Sequence, residues 1–157
     1  MAQDLGRVEG ADEIIRKLRL LPERLGRNAG RRALRKGANV IMKAARQRSK
    51  AIDDPETREM VWKNIAVQSG GSRREKRAGG PMMRVGVRGG ARLKRGDLGL
   101  PGGNTTYWRM LEFGTSNVQA QPFMRPAMNE RAGEAFQAIV RDLPVEMDKE
   151  LAKLGRR

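Results

Sequence analysis

Apolar and polar positions alternate between two periods along this chain, and the change of period outlines its elements. Between Ala11 and Leu21, Ile14, Ile15, Leu18 and Leu21 recur at helical spacing, and Asp12 and Glu13 stand where a helix start favours negative charge. Pro22 either breaks this helix or opens the next one. A second, longer helix is predicted from about Pro22 to about Lys50, because at about 100° per residue Leu34, Gly37, Ala38, Val40, Ile41, Ala44 and Ala45 share a face. Arg31, Arg35, Lys36, Lys43 and Arg46 fall on the opposite face. The apolar face consists largely of small residues, so a neighbouring element can approach closely. Gly30 and Gly37 weaken the helix itself, and packing must compensate.

Beyond a turn at Asp53-Asp54-Pro55 the period shortens to two. Met60 to Gln68 reads as a strand, with Val61, Ile65 and Val67 on one side and Asn64 and Gln68 on the other. Met82 to Arg88 reads as another, with Met83, Val85 and Val87 inward and Arg84 and Arg88 outward. The glycine-, serine- and arginine-rich stretch from Ser69 to Gly80 is expected to be a flexible loop joining them as antiparallel neighbours. Gly89 to Gly103 is a second long, basic loop. Thr105 to Phe113 is apolar and aromatic, and periodicity fits a strand or a short helix equally. Pro126 suits the first turn of a last helix, along which Ala127, Met128, Ala132, Ala135, Phe136, Ile139, Val140 and Leu143 recur in steps of three and four. Pro144 is expected to kink or end it, with Val145 to Leu154 resuming it. The predicted fold is α+β in a single domain over residues 1–157. It has a helical region at about 11–50, a small antiparallel sheet with long loops at about 59–118, and a C-terminal helix at about 124–153 packed on the sheet.

Composition narrows what such a fold does. Aromatic residues make up only 4% of the chain and charged residues 32%, so the core rests on Leu, Ile, Val, Ala and Met and is lean. Stabilisation by neighbouring subunits is expected. The chain has neither cysteine nor histidine, which removes disulfides, thiolate nucleophiles, imidazole bases and the usual zinc ligands. No carboxylates group at metal-ligand spacing, and neither Gly70-Gly71-Ser72 nor Gly99-Leu100-Pro101-Gly102-Gly103 matches a phosphate-binding fingerprint. The expectation is a non-enzyme without cofactor or metal. No apolar run is long enough for a membrane span, and Met1 to Gly6 lacks the pattern of a secretion signal, so no membrane partner is expected.

The formal charge is +15, from 33 Lys and Arg against 18 Asp and Glu. Nine Lys or Arg and no acid lie between Arg27 and Lys50; Arg73, Arg74, Lys76 and Arg77 form a second cluster, and Arg92, Lys94 and Arg95 a third. Such charge favours phosphate or acidic protein faces without base reading. Tyr107 and Trp108 are not interleaved with these clusters, which argues against a single-strand stacking platform. Around Glu112-Phe113-Gly114-Thr115, Phe113 is expected in the core and Gly114 at a backbone angle other residues disfavour. Glu112 is expected to pair with Arg125 or Arg109, because an unpaired buried carboxylate is costly.

The run Tyr107-Trp108-Arg109-Met110-Leu111-Glu112-Phe113-Gly114-Thr115-Ser116, followed by Ala120-Gln121-Pro122-Phe123-Met124-Arg125-Pro126-Ala127, resembles the tail-component (neck, or head–tail joining) family of long-tailed bacteriophages. The resemblance extends from about Ala11 to Leu151 in the order of its elements. It implies a virion protein, assembled in the host bacterial cytoplasm, that forms a homo-oligomeric ring, commonly a hexamer, between capsid portal and tail tube. Neck, connector and tail-tube proteins would be its partners. Glu112, Phe113, Gly114, Thr115, Gln121, Pro122, Phe123, Arg125 and Pro126 would be the signature and interface positions. Arg31, Arg35, Lys43, Arg92, Lys94 and Arg95 are the candidates for facing double-stranded DNA in the channel. The long basic Gly89–Gly103 loop and Pro144 depart from the commoner pattern. The competing reading is a non-specific double-stranded DNA-binding protein. A toxin-like nuclease is disfavoured by the missing histidine and metal cluster.

Overall fold

The computed structural model describes residues 11–53, 56, 58–89 and 99–155. The element order is α1 (Ala11–Leu20), α2 (Glu23–Ile52), α3 (Val61–Asn64), β1 (Ile65–Ser69), α4 (Ser72–Ala78), β2 (Met83–Val87), α5 (Trp108–Phe113) and α6 (Met124–Leu154). The α+β class holds, with helices dominating and a two-stranded antiparallel sheet. β1 and β2 pair from Ile65 opposite Val87 to Ser69 opposite Met83.

The spine is an antiparallel pair of long helices, α2 and α6. Arg48 meets Glu130 near one end, Gly37 faces Ala135 and Ile139 in the middle, and Arg32 meets Glu146 and Glu150 towards the other end. Small residues let the two backbones close on each other: Ala29, Ala33, Gly37, Ala38 and Ala45 are buried on α2, and Ala127, Ala135 and Ala138 on α6. The buried face is therefore made of the smaller residues, while Leu34, Val40, Ile41 and Ala44 are only half-buried along its margin. Arg46 is not on a solvated face as expected; it is part-buried and donates twice to the Ile65 carbonyl, at 2.9 and 2.8 Å, which pins β1 to α2.

Two small apolar cores sit at the ends of this spine. At one, Ala45, Val61, Ile65, Phe123 and Ala127 are fully buried, with Val85, Val87, Tyr107, Trp108 and Leu111 packed around them. The C-terminal helix thus reaches the sheet core through its start, and lies along α2 for most of its length. At the other, Leu21, Ala29 and Met147 collect Ile14, Leu25, Leu143 and Leu151. Lys17 bridges Glu13 and Asp148 and ties α1 to α6.

Expectations for three segments change in the structure. The Met60–Gln68 strand is shorter: residues 61–64 form a helical turn, whose first amides at Val61 and Trp62 donate to the Asp53 carboxylate, each at 3.3 Å. Val61 and Ile65 are four residues apart, a spacing that keeps a common face in helix and strand alike. The turn carries Asn64 inward, where its amide donates to the Gly103 carbonyl and the Thr105 hydroxyl, and its oxygen accepts the Gly102 amide. Ser69–Gly80 is not a flexible loop but contains α4, bracketed by Gly71 at φ 80° and Gly79 at φ 73°. Gly79 closes the helix in the left-handed conformation, its amide and that of Gly80 returning to Lys76 and Glu75 carbonyls. Helix α6 runs through Pro144; Leu143 and Met147 in the second core and the Glu146 and Glu150 pairs to Arg32 hold it on both sides of the missing amide. Asp54, Pro55 and residues 90–98, including Arg92, Lys94 and Arg95, lie outside the described residues.

The spine gives a paired prediction. A Cβ on Gly37 would stand 2.7 Å from the Ala135 carbonyl oxygen and 2.6 Å from Ile139 Cγ1, whereas one on Gly133 meets open space. Gly133→Ala should raise stability by up to about 1 kcal/mol through helix propensity. Gly37→Ala should lower it by about 1–3 kcal/mol, overpacking outweighing the same propensity gain. Urea unfolding midpoints of the two variants should move in opposite directions.

Candidate functional site

The segment from Tyr107 to Ala127 folds into a joint between α5 and α6. Glu112 is 1% exposed on α5 and points at the start of α6. Its carboxylate accepts the amides of Phe123 at 2.8 Å, Met124 at 2.9 Å and Arg125 at 2.9 Å. A helix start leaves four amides without intrahelical partners. Here the fourth position is Pro126, which has no amide to satisfy. One carboxylate therefore completes the helix start, from another helix rather than from the local capping residue. Arg125 closes the arrangement, its Nε donating to Glu112 Oε1 at 3.2 Å and a terminal nitrogen to the Glu112 carbonyl at 2.7 Å. Arg109 plays no part in it and stacks on the Trp108 ring. Burial pushes the Glu112 carboxyl up, but the three amides and Arg125 outweigh it and hold the group below its ordinary value.

The chain can turn from α5 towards α6 because of Gly114, at φ 74°. A Cβ there would stand 2.9 Å from the Ala120 nitrogen and 3.0 Å from the Val118 carbonyl oxygen. Thr115 shapes the loop: its hydroxyl accepts the Val118 amide at 3.0 Å and its own amide donates to the Val118 carbonyl at 2.9 Å. Gln121 contributes through its backbone, donating to the Leu111 carbonyl at 2.7 Å. Pro122 is exposed, and Phe123 is fully buried among Ala45, Val61, Ile65 and Ala127. Phe113 corrects the sequence reading. It is not core but 60% exposed, because α5 turns Glu112 inward and the next residue therefore outward. The Arg125 guanidinium covers one side of its ring at 5.0 Å. Met110 and Val118 are exposed beside the same turn.

The three basic candidates among the described residues differ in their setting. Arg31 is engaged by buried Glu75, to which Nε donates at 3.3 Å and a terminal nitrogen makes a second bond, so it anchors α4 to α2. Arg35 and Lys43 are exposed on α2. Asn64 is the residue that sequence reasoning missed, since the strand pattern sent it outward; the helical turn at residues 61–64 is what buries it. Among the described residues, no group of three or more acidic side chains is placed to hold a metal ion, and no helix is long and apolar enough to cross a membrane. Of the buried carboxylates of α6, Glu146 and Glu150 are taken up by Arg32, Lys149 and Lys153, and Asp142 meets Lys36 at 3.5 Å.

Replacing Glu112 by Gln keeps the shape but sets an amide against three amide donors. The cost should be roughly 2–4 kcal/mol near neutral pH, the scale of buried donors left unpaired at a helix start. Because the folded-state carboxyl titrates below its ordinary value, its stabilisation is complete above the ordinary glutamate range and disappears as pH falls through the lowered value. The stability gap between wild type and Glu112→Gln, followed by thermal unfolding, should therefore shrink on acidification.

Comparison with curated proteins and with solved structures finds no match. Comparison with protein families matches residues 12–114 to the family described as “Bacteriophage HK97-gp10, putative tail-component”. The matched stretch runs from α1 to Gly114, so it takes in the basic spine helix, the sheet and Glu112, and ends before Gln121. With most of its length and the first half of its joint inside that match, the chain belongs to this family of phage tail components.

Proposed function

We propose that this chain is a structural virion protein that closes into a ring of identical subunits at the phage head–tail junction, as a neck or tail-completion component. It would assemble in the host cytoplasm and link the portal complex to the tail tube. The observation that carries this reading is the apolar knob on the joint. Met110, Phe113 and Val118 are 56%, 60% and 50% exposed around a turn that Glu112 and Gly114 shape. Exposed apolar side chains at a family signature fit a docking element better than a catalytic one.

A ring needs two different complementary patches on each subunit. The second is an apolar depression of about 440 Å³ between α2, α6 and the turn into β2, lined by Gly30, Leu34, Gly80, Pro81, Ile139 and Leu143. The knob of one subunit would seat in the depression of the next, around to closure. The lean core agrees with stability gained from neighbours.

Complementation tests this head-to-tail arrangement. Phe113→Ser with Val118→Ser removes the knob, and Leu34→Glu spoils the depression. Each variant alone should sediment as a monomer. An equal mixture keeps one intact contact and should give dimers without rings. Native mass spectrometry of wild type should show a closed oligomer, a hexamer being the expected number. Rings of wild-type size from the knob variant would overturn the arrangement.

A further inference from the structure

We propose that α4 and the outward edge of β2 form a binding surface for the phosphodiester backbone of duplex DNA. Between Gly70 and Gly89 the chain has six Lys or Arg and a single carboxylate, Glu75. That carboxylate is 5% exposed and turned inward onto Arg31. The Arg31 pair thus does two things: it fixes α4 to the spine, and it takes the only negative charge of the segment out of play. The neighbouring positions Arg73, Arg74, Lys76 and Arg77 are all exposed. Arg73, Arg74 and Arg77, with Gly70, Gly71 and Ser72, line an open depression of about 450 Å³.

The surface continues along β2. Met83, Val85 and Val87 are half-buried, and Val85 and Val87 pack on the core; Arg84 and Arg88 are exposed on the other side. The segment thus exposes six cations and no acid between Gly70 and Gly89. Planar guanidinium groups suit phosphate oxygens through paired hydrogen bonds. The segment contains no aromatic residue, so nothing in it offers a stacking face for unpaired bases. The surface reads charge along a backbone and not sequence. It is a property of one subunit and stands whether or not subunits form rings.

The test is salt-dependent binding of a short labelled duplex to the full chain, followed by fluorescence anisotropy. Each phosphate contact contributes about 0.9 to the slope of log affinity against log salt. Gln in place of Arg73, Arg74 and Arg77 should lower that slope by about 2–3 and weaken binding to all duplex sequences alike. The same loss of charge at Arg16, Arg19 and Arg141, exposed on α1 and α6, should leave the slope nearly unchanged. An unchanged slope in the α4 variant overturns the proposal. So does polyglutamate that competes as well as duplex at equal charge, which would make the surface a dock for an acidic protein. Sedimentation of the same samples reports the assembly state separately, so loss of DNA binding and loss of oligomers are told apart.

Discussion

The structure depends on one carboxylate at the start of its last helix. Glu112 satisfies the three amides that α6 cannot satisfy itself, and Pro126 removes the fourth. The bond network fixes the direction in which α6 leaves the joint, and Phe123 is carried into the core beneath it. A helix of 31 residues amplifies any error in its starting angle along its whole length. The placement of α6 on α2 therefore rests on a contact made at its first turn.

Along the spine, size matters more than hydrophobicity. Aromatic side chains are scarce and most buried positions are alanine or glycine, which remove little apolar area each. What they permit is close backbone approach, with dispersion spread over the full length of the pair. Charges then work at the margins: Arg32 meets Glu146 and Glu150, and Arg48 meets Glu130. Such pairs add little net stability when partly solvated, but they oppose sliding of one helix along the other. A seam of this kind leaves the larger apolar side chains, including Met110, Phe113, Met128 and Phe136, on the surface.

The legible parts of the sequence were those where one physical demand has one solution. Gly114 needed a positive φ, Glu112 needed partners, and the α2 pattern needed a close neighbour; all three are met. The Pro126 start of α6 follows from the same logic. The misread parts had two solutions of equal local merit. Val61 and Ile65 share a face in either period, so the helical turn and the burial of Asn64 turned on Asp53 as a distant cap and on the loop at Gly102 and Gly103. The glycines around α4 looked like flexibility, yet two of them are helix ends, and the helix exists because Glu75 finds Arg31, 44 positions earlier. Phe113 and Pro144 were judged by residue type alone. Helix phase exposes the first, and packing on both sides carries the chain through the second.

The fate of the carboxylates links these observations. The buried ones among the described residues, Glu75, Glu112, Asp142, Glu146 and Glu150, each hold two elements together by meeting a cation or a helix start. Exposed acids such as Glu13, Glu23, Asp148 and Glu130 also stand beside Lys or Arg. Internal pairing thus consumes negative charge in fixing the fold, and the excess of cations is displaced to surfaces that take no part in it. Each such pair cancels internally, so the excess behind the net charge of +15 rests on cations outside the pairs.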